Sequence, residues 1–207
     1  MPGRFISLEG GEGAGKSTQL KALAGALRGR GLDVVETREP GGSPGAEAIR
    51  RLLLEGGEDR WTPEAEALLF AAARADHVAR TIRPALARGA WVLSDRFLDS
   101  SLAYQGAAAG VGIESVRKLH EIGSHGFLPD RTLLLELPPE TVAERLSVRD
   151  PAGSDRIGGR GDEFHRRVAR AFAELAEREP ERFRRIDSSG SADEVTARLL
   201  VAVEDLL

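Results

Sequence analysis

A chain of 207 residues with 41% apolar and 30% charged side chains has the length and composition of one globular domain able to bury a substantial core. A formal charge of −4 argues against general affinity for nucleic acid or for acidic membranes, both of which favour a basic surface. The absence of cysteine excludes disulfides, thiol nucleophiles and thiolate metal sites, and with no secretory leader or membrane-spanning apolar stretch the expected location is cytoplasmic.

Arg4 to Leu8 reads as a short buried strand. It runs into Leu8-Glu9-Gly10-Gly11-Glu12-Gly13-Ala14-Gly15-Lys16-Ser17-Thr18, which matches GxxxxGK[ST] with Gly10, Gly15, Lys16 and Ser17 in register. Glycines let such a loop curl until backbone N–H groups point at phosphate oxygens, and the helix that follows adds its positive end. The cradle expected from this P-loop comprises Gly10, Gly11, Glu12, Gly13, Ala14, Gly15, Lys16, Ser17 and Thr18. Lys16 would reach the outer phosphates and Ser17 would ligate a Mg²⁺ that bridges them.

Thr18 to Arg30 has helical spacing and stops at Gly29 to Gly31; Leu32 to Thr37 reads as a second strand. The polar turn Arg38 to Gly45 leads into a helix from Ala46 to about Leu54. Thr62 is a candidate N-cap, with Pro63 at the first helical position, for a long helical region ending at Arg88 that Pro84 kinks or divides. Ala90 to Ser94 is a third strand ending at Asp95-Arg96, followed by helical pieces at about 100–105 and 113–125. Arg131 to Leu137 reads as a buried strand, 141–149 as helix and 150–161 as a polar glycine-rich loop. A helix at 162–178, a strand at 183–186 and a helix at 192–206 complete the chain. The alternation implies an α/β domain over 1–207, with a five-stranded parallel sheet covered by helices on both faces and ligands at the carboxyl ends of the strands.

A phosphate cradle alone leaves a nucleotide switch, a motor ATPase and a small-molecule kinase open. The chain contains no asparagine, so the Asn-Lys-x-Asp loop that reads guanine is absent. The strand that ends in an acid gives Asp95-Arg96 rather than Asp-Glu, and an acid followed by a cation suits Mg²⁺ beside a second anionic substrate. Arg38, Arg50, Arg74 and Arg96 follow or flank elements whose carboxyl ends face the cradle, and Arg38 and Arg96 stand just past strands, where loops line the ligand crevice. His77, His120, His125 and His165 show no metal-ligand spacing and are read as structural or solvated.

The stretch Val92-Leu93-Ser94-Asp95-Arg96-Phe97-Leu98-Asp99-Ser100-Ser101-Leu102-Ala103-Tyr104-Gln105 closely resembles the signature of thymidylate kinases. Thr37-Arg38-Glu39-Pro40-Gly41-Gly42-Ser43 looks like their second motif, and Leu69-Phe70-Ala71-Ala72-Ala73-Arg74 like their base-binding helix. The resemblance implies the P-loop nucleoside monophosphate kinase architecture and transfer of the ATP γ-phosphoryl group to dTMP, giving dTDP and ADP. By the same resemblance Lys16 and the loop amides hold ATP, Ser17 and Asp95 serve Mg²⁺, and Arg96 bridges to the transferred group. Arg38 and Arg50 match positions that handle the dTMP phosphate, Phe70 the ring that stacks on thymine, and Arg74, Ser101 and Gln105 the base-side contacts. Tyr104 matches the aromatic that crowds the sugar 2′ position, and Glu12 an acid near the acceptor phosphate. Gly13 stands where one branch of the family places a catalytic arginine. A lid segment at about 149–161 resembles the bacterial branch, whose lid supplies that cation, here Arg156 or Arg149. Resembling proteins are homodimers. A kinase for another nucleoside monophosphate, or a non-catalytic ATP-dependent switch, is the competing reading.

Overall fold

The computed structural model describes residues 2–57, 59–138, 141 and 156–207. Five strands, β1 (Phe5–Glu9), β2 (Val34–Arg38), β3 (Trp91–Asp95), β4 (Arg131–Glu136) and β5 (Phe183–Asp187), form one sheet in the order β2-β3-β1-β4-β5. Every pairing is parallel. The five-stranded parallel sheet and its flanking helices therefore agree with the sequence, with strand limits displaced by no more than two residues.

Alternate residues of each inner strand serve opposite faces, as the period of two requires. Ile6, Leu8, Trp91, Leu93, Leu133 and Leu135 pack with Leu20, Leu23 and Leu27 of α1 (Lys16–Gly29) and with Val195, Leu199 and Val203 of the last helix. Phe5, Val92 and Leu134 face the other way. They pack beneath α4 (Arg83–Ala87), α5 (Leu98–Ser101) and a long amphipathic helix, Asp162–Arg178, that buries Phe164, Val168 and Phe172. Both faces of the three inner strands are buried, so those strands read as mostly apolar runs.

Helix starts follow their caps. Ser43 accepts from the Ala46 N–H at 3.3 Å and opens α2 (Pro44–Leu54), two residues earlier than the sequence suggests. Thr62 accepts from the Ala65 N–H at 3.3 Å and opens α3 (Pro63–His77) with Pro63 in its first turn. The expected interruption at Pro84 is a π-helical turn, Val78–Ile82, between α3 and α4, in which the Arg83 N–H reaches back to the Val78 carbonyl. A wide turn there accommodates a proline that has no N–H of its own. A second π-helical stretch, Leu102–Ala108, continues α5 and leads to α6 (Ile113–Ser124). Among the described residues the helices that follow β4 are α7 (Asp162–Arg178) and α8 (Ala192–Val203); the helix expected at 141–149 lies, but for residue 141, outside them.

The register places the functional ends together. Leu8 of β1 and Arg38 of β2 both pair with Asp95 of β3, so the P-loop, the Arg38 turn and the Asp95-Arg96 turn leave the sheet side by side. This is the carboxyl edge on which a doubly wound sheet carries its ligands.

Candidate active site

Gly10 (φ 136°) and Gly15 (φ 85°) occupy backbone regions that side chains rarely enter, and a Cβ on Gly10 would meet the Leu135 carbonyl oxygen. Gly15 caps α1, which begins at Lys16. The buried Lys16 ammonium donates to the carbonyls of Gly10 (3.2 Å) and Gly11 (2.7 Å). Burial and the neighbouring Arg96 bring its pKa down to about 8, against the pull of Glu12, Asp95 and Glu9.

Arg96 holds φ 70°, a left-handed conformation that costs a non-glycine residue roughly 1 kcal/mol. Its N–H donates to the Leu8 carbonyl at 3.0 Å, and its own carbonyl accepts from Ser94 Oγ at 2.7 Å. The guanidinium donates to the Gly10 carbonyl (3.1 Å), Ser100 Oγ (2.9 Å), Glu12 Oε1 (2.5 Å) and the Tyr104 hydroxyl (3.3 Å). Burial opposes its charge, but Tyr104 and Glu12 outweigh that and raise its pKa. For Glu12 burial works upward, and Arg96 and Lys16 carry the net shift downward. Burial beside Glu12 pushes the Tyr104 phenol up to about 12, so it acts as a neutral ring and donor.

Beneath this cluster lies Glu9, a fully buried carboxylate whose importance the sequence did not signal. It accepts from the Phe97 N–H (2.7 Å) and Ser100 Oγ (2.6 Å), clamping the backbone turn that presents Arg96. Burial and Asp99 push its pKa up to about 8 despite those donors. A group raised this way holds a proton in the folded state that the unfolded chain releases above its ordinary pKa of 4.5. Its contribution to stability is complete below 4.5 and is lost as pH rises through about 8. Glu9→Gln should accordingly flatten the fall in urea-unfolding stability between pH 5 and 8, where the wild type loses up to about 1.4 kcal/mol per pH unit from this group. Parallel stability profiles for the two proteins would refute the assignment.

Two clefts open beside the P-loop. The first, with about 470 Å³ of empty space, is lined by Glu12, Glu39, Pro40, Arg50, Leu54, Phe70, Arg96, Ser100, Tyr104, Gln105 and Ile157. It gathers six of the expected residues, namely Glu12, Arg50, Phe70, Arg96, Tyr104 and Gln105. The second lies between Ala14, Gly15 and Thr18 on one side and Ser188, Gly190 and Ser191 on the other. The P-loop is the wall they share.

Other expected residues lie elsewhere. Arg38 is exposed and pairs with Glu47 at 3.2 Å, outside the lining of the first cleft. Arg74 is buried behind that lining, where Nε donates to Glu39 Oε2 (2.8 Å) and Nη2 to Ser101 Oγ (2.6 Å). His77 completes the same cluster between Glu39 Oε1 (3.0 Å) and Thr37 Oγ1 (2.7 Å), in keeping with a structural histidine. Burial opposes the charge on Glu39, and Arg74 and His77 carry its pKa below the usual carboxylate range. Arg149 and the rest of 149–155 lie outside the described residues.

Arg156 departs most from expectation. Its guanidinium is fully buried in an ion pair with Glu66 of α3, and its Nε donates to the Leu53 carbonyl at 2.8 Å. This position has a physical reason: a buried carboxylate at Glu66 requires a counter-charge, which Arg156 and Arg160 supply. Sequence reasoning missed Glu66, although Glu66, Phe70 and Arg74 recur every fourth residue and therefore share one face of α3.

Ser17 Oγ donates to Asp95 Oδ2 at 2.6 Å, so a hydroxyl and a carboxylate meet at the N-terminus of α1. Two hard oxygen donors suit Mg²⁺. Among the described residues no group of three or more His, Cys, Asp or Glu side chains converges, so such an ion would take its remaining ligands from phosphate and water.

Residues 8–199 match the family model for thymidylate kinase. A thymidylate kinase of Rhizorhabdus wittichii is 67% identical over 207 residues, all of both chains. One of Caulobacter vibrioides is 51% identical over 197 residues, covering 95% of this chain and 94% of that one. The crystal structure of thymidylate kinase from Ehrlichia chaffeensis superposes with a TM-score of 0.80 at 28% identity over the whole of both chains. A family model that spans nearly the whole sequence and relatives of this identity place the chain in the thymidylate kinase family.

Proposed function

We propose that the first cleft receives dTMP, with its phosphate between Arg96, Arg50 and the P-loop and its base against Phe70 and Gln105. ATP lies over Lys16, with its nucleoside in the second cleft. As a member of its family the chain transfers the γ-phosphoryl group of ATP to dTMP, giving dTDP and ADP. The observation that carries the placement is the shared wall: two clefts meet across the loop that holds Lys16, and Arg96 reaches the Gly10 carbonyl from the acceptor side.

A phosphate oxygen is already nucleophilic at neutral pH, so the residues position groups and neutralise charge rather than remove a proton. Lys16 and the loop amides hold the donor phosphates; Arg96, pre-set by Glu12, Ser100 and Tyr104, faces the charge that develops between donor and acceptor. Mg²⁺ held by Ser17 and Asp95 would supply further neutralisation of the donor phosphates. The Tyr104 ring, wedged against Phe164 and Phe172 of α7, presents a fixed surface where a 2′-hydroxyl would sit and so favours deoxyribose.

Phe70 is half-buried at the cleft and stacks on the base in this placement. Phe70→Ala should raise the KM for dTMP by about 10- to 100-fold, the loss of one aromatic stacking partner, and leave the KM for ATP unchanged. An unchanged dTMP KM would remove the base from this cleft. We further propose a homodimer through α3 and α6, which pack together and expose Leu68 and Ile122 on their outer sides. Sedimentation at the mass of one chain at micromolar concentration would remove this proposal.

A further inference from the structure

The placement of the thymine base against Phe70 and Gln105 leaves one question of chemistry open. A glutamine side chain offers an oxygen acceptor and a nitrogen donor of nearly the same shape, so something must decide which one faces the base. The structure places that decision one helical turn from Phe70. Glu66 is fully buried, and its Oε1 accepts a 2.9 Å hydrogen bond from Gln105 Nε2. Its Oε2 accepts from Arg156 and from Arg160, the latter at 2.7 Å. Facing two guanidinium groups and an amide, the carboxylate acts as an acceptor at both oxygens. Turning the Gln105 amide over would set oxygen against oxygen in a site closed to water, so only one orientation is tolerated. The amide oxygen of Gln105, a residue that lines the cleft, makes no hydrogen bond to any described residue.

We infer that Glu66 is a positioning residue that sets the hydrogen-bonding polarity of the base pocket. By engaging the nitrogen of Gln105 it turns the amide oxygen towards the base. The pocket then accepts the N3–H donor of an imide base, thymine or uracil, and rejects cytosine, whose N3 is an acceptor. Arg156 and Arg160 act one step further out, holding the carboxylate in place. The inference rests on the placement of the base in the first cleft.

Three variants separate it from that placement, with kcat and KM measured for dTMP, dUMP and dCMP. Glu66→Gln offers Gln105 either a donor or an acceptor, so the amide can turn over. The preference for dTMP over dCMP in kcat/KM should fall by at least about tenfold, with dUMP following dTMP and kcat for dTMP within a few-fold of wild type. Gln105→Leu should lower the same preference by removing the polar group. A preference unchanged in Gln105→Leu would show that the base does not meet this residue and would remove the placement itself. A preference lowered in Gln105→Leu but unchanged in Glu66→Gln would overturn the inference alone, as would equal losses with all three nucleotides in Glu66→Gln. Where Glu66→Gln fails to fold, as read by circular dichroism, Glu66→Gln/Arg156→Gln removes the fully buried of the two stranded charges, leaves the partly exposed Arg160, and carries the same comparison.

Discussion

Arg96→Ala is expected to lower kcat by about 10³-fold while Tm stays close to wild type. The guanidinium is held by four acceptors from the P-loop, α5 and the π-helical stretch after it, so its position is settled before substrate arrives. Preorganised charge of this kind acts where charge develops, and removing an arginine that contacts a transferring phosphoryl group costs 10³-fold or more. Alanine keeps the backbone and the left-handed turn, whose supports are Ser94, Glu9 and the Leu8 carbonyl rather than the side chain. Loss of Glu12's partner is tolerable because that carboxylate is partly exposed. Arg96→Lys should restore only part of the rate, since an ammonium cannot span the same acceptors. The check is steady-state ADP release together with thermal unfolding, and a kcat within tenfold of wild type would place the catalytic cation elsewhere.

Arg156→Ala is expected to act on stability and dTMP binding rather than on turnover. The substitution removes one of two cations from the buried Glu66 carboxylate, and breaking a buried pair costs roughly 3–5 kcal/mol. Arg160 stays in place, so the lower figure applies, about 3 kcal/mol, or a fall in Tm of about 6–12 °C for a chain of this length. The KM for dTMP should rise because Gln105 and the adjoining Ile157 lose their support, and kcat at saturation should change less than about threefold. The resemblance alone implies the reverse, a large fall in kcat with dTMP binding preserved, because it assigns Arg156 to the transferred group. Differential scanning calorimetry and saturation kinetics on one preparation distinguish the two. A kcat lowered by 10²-fold or more with an unchanged Tm would return Arg156 to the reaction centre.

The difference between these two arginines shows what the sequence can carry. Arg96 stands just past a strand that pairs with the strand feeding the P-loop, so two recognisable motifs and the parallel sheet predict its surroundings; the glycine loop and the capped starts at Ser43 and Thr62 are legible from local sequence alone. Arg156 is placed by Glu66, 90 residues away in the chain, and no local pattern announces that partner. Glu9 was legible only as the residue between the first strand and the glycine loop, not as the clamp on Phe97 and Ser100, because that contact exists only once β1 and β3 are paired. Arg38, read as the first residue past its strand, is the last residue of β2, and there it pairs with Glu47 of the following helix at the exposed edge. Elements followed from hydrophobic period and capping; the roles of buried charges required the tertiary contacts.

In the proposed placement one loop separates donor from acceptor, so that ATP is cleaved only when a pyrimidine deoxynucleotide occupies the first cleft. Release of ADP from ATP and Mg²⁺ by the purified chain, measured with and without dTMP, tests it most directly. ADP formation is expected to depend on dTMP, with one dTDP for each ADP and dTMP strongly preferred over dCMP, CMP and AMP. Equal ADP release without dTMP, or AMP or CMP as the preferred acceptor, would contradict it.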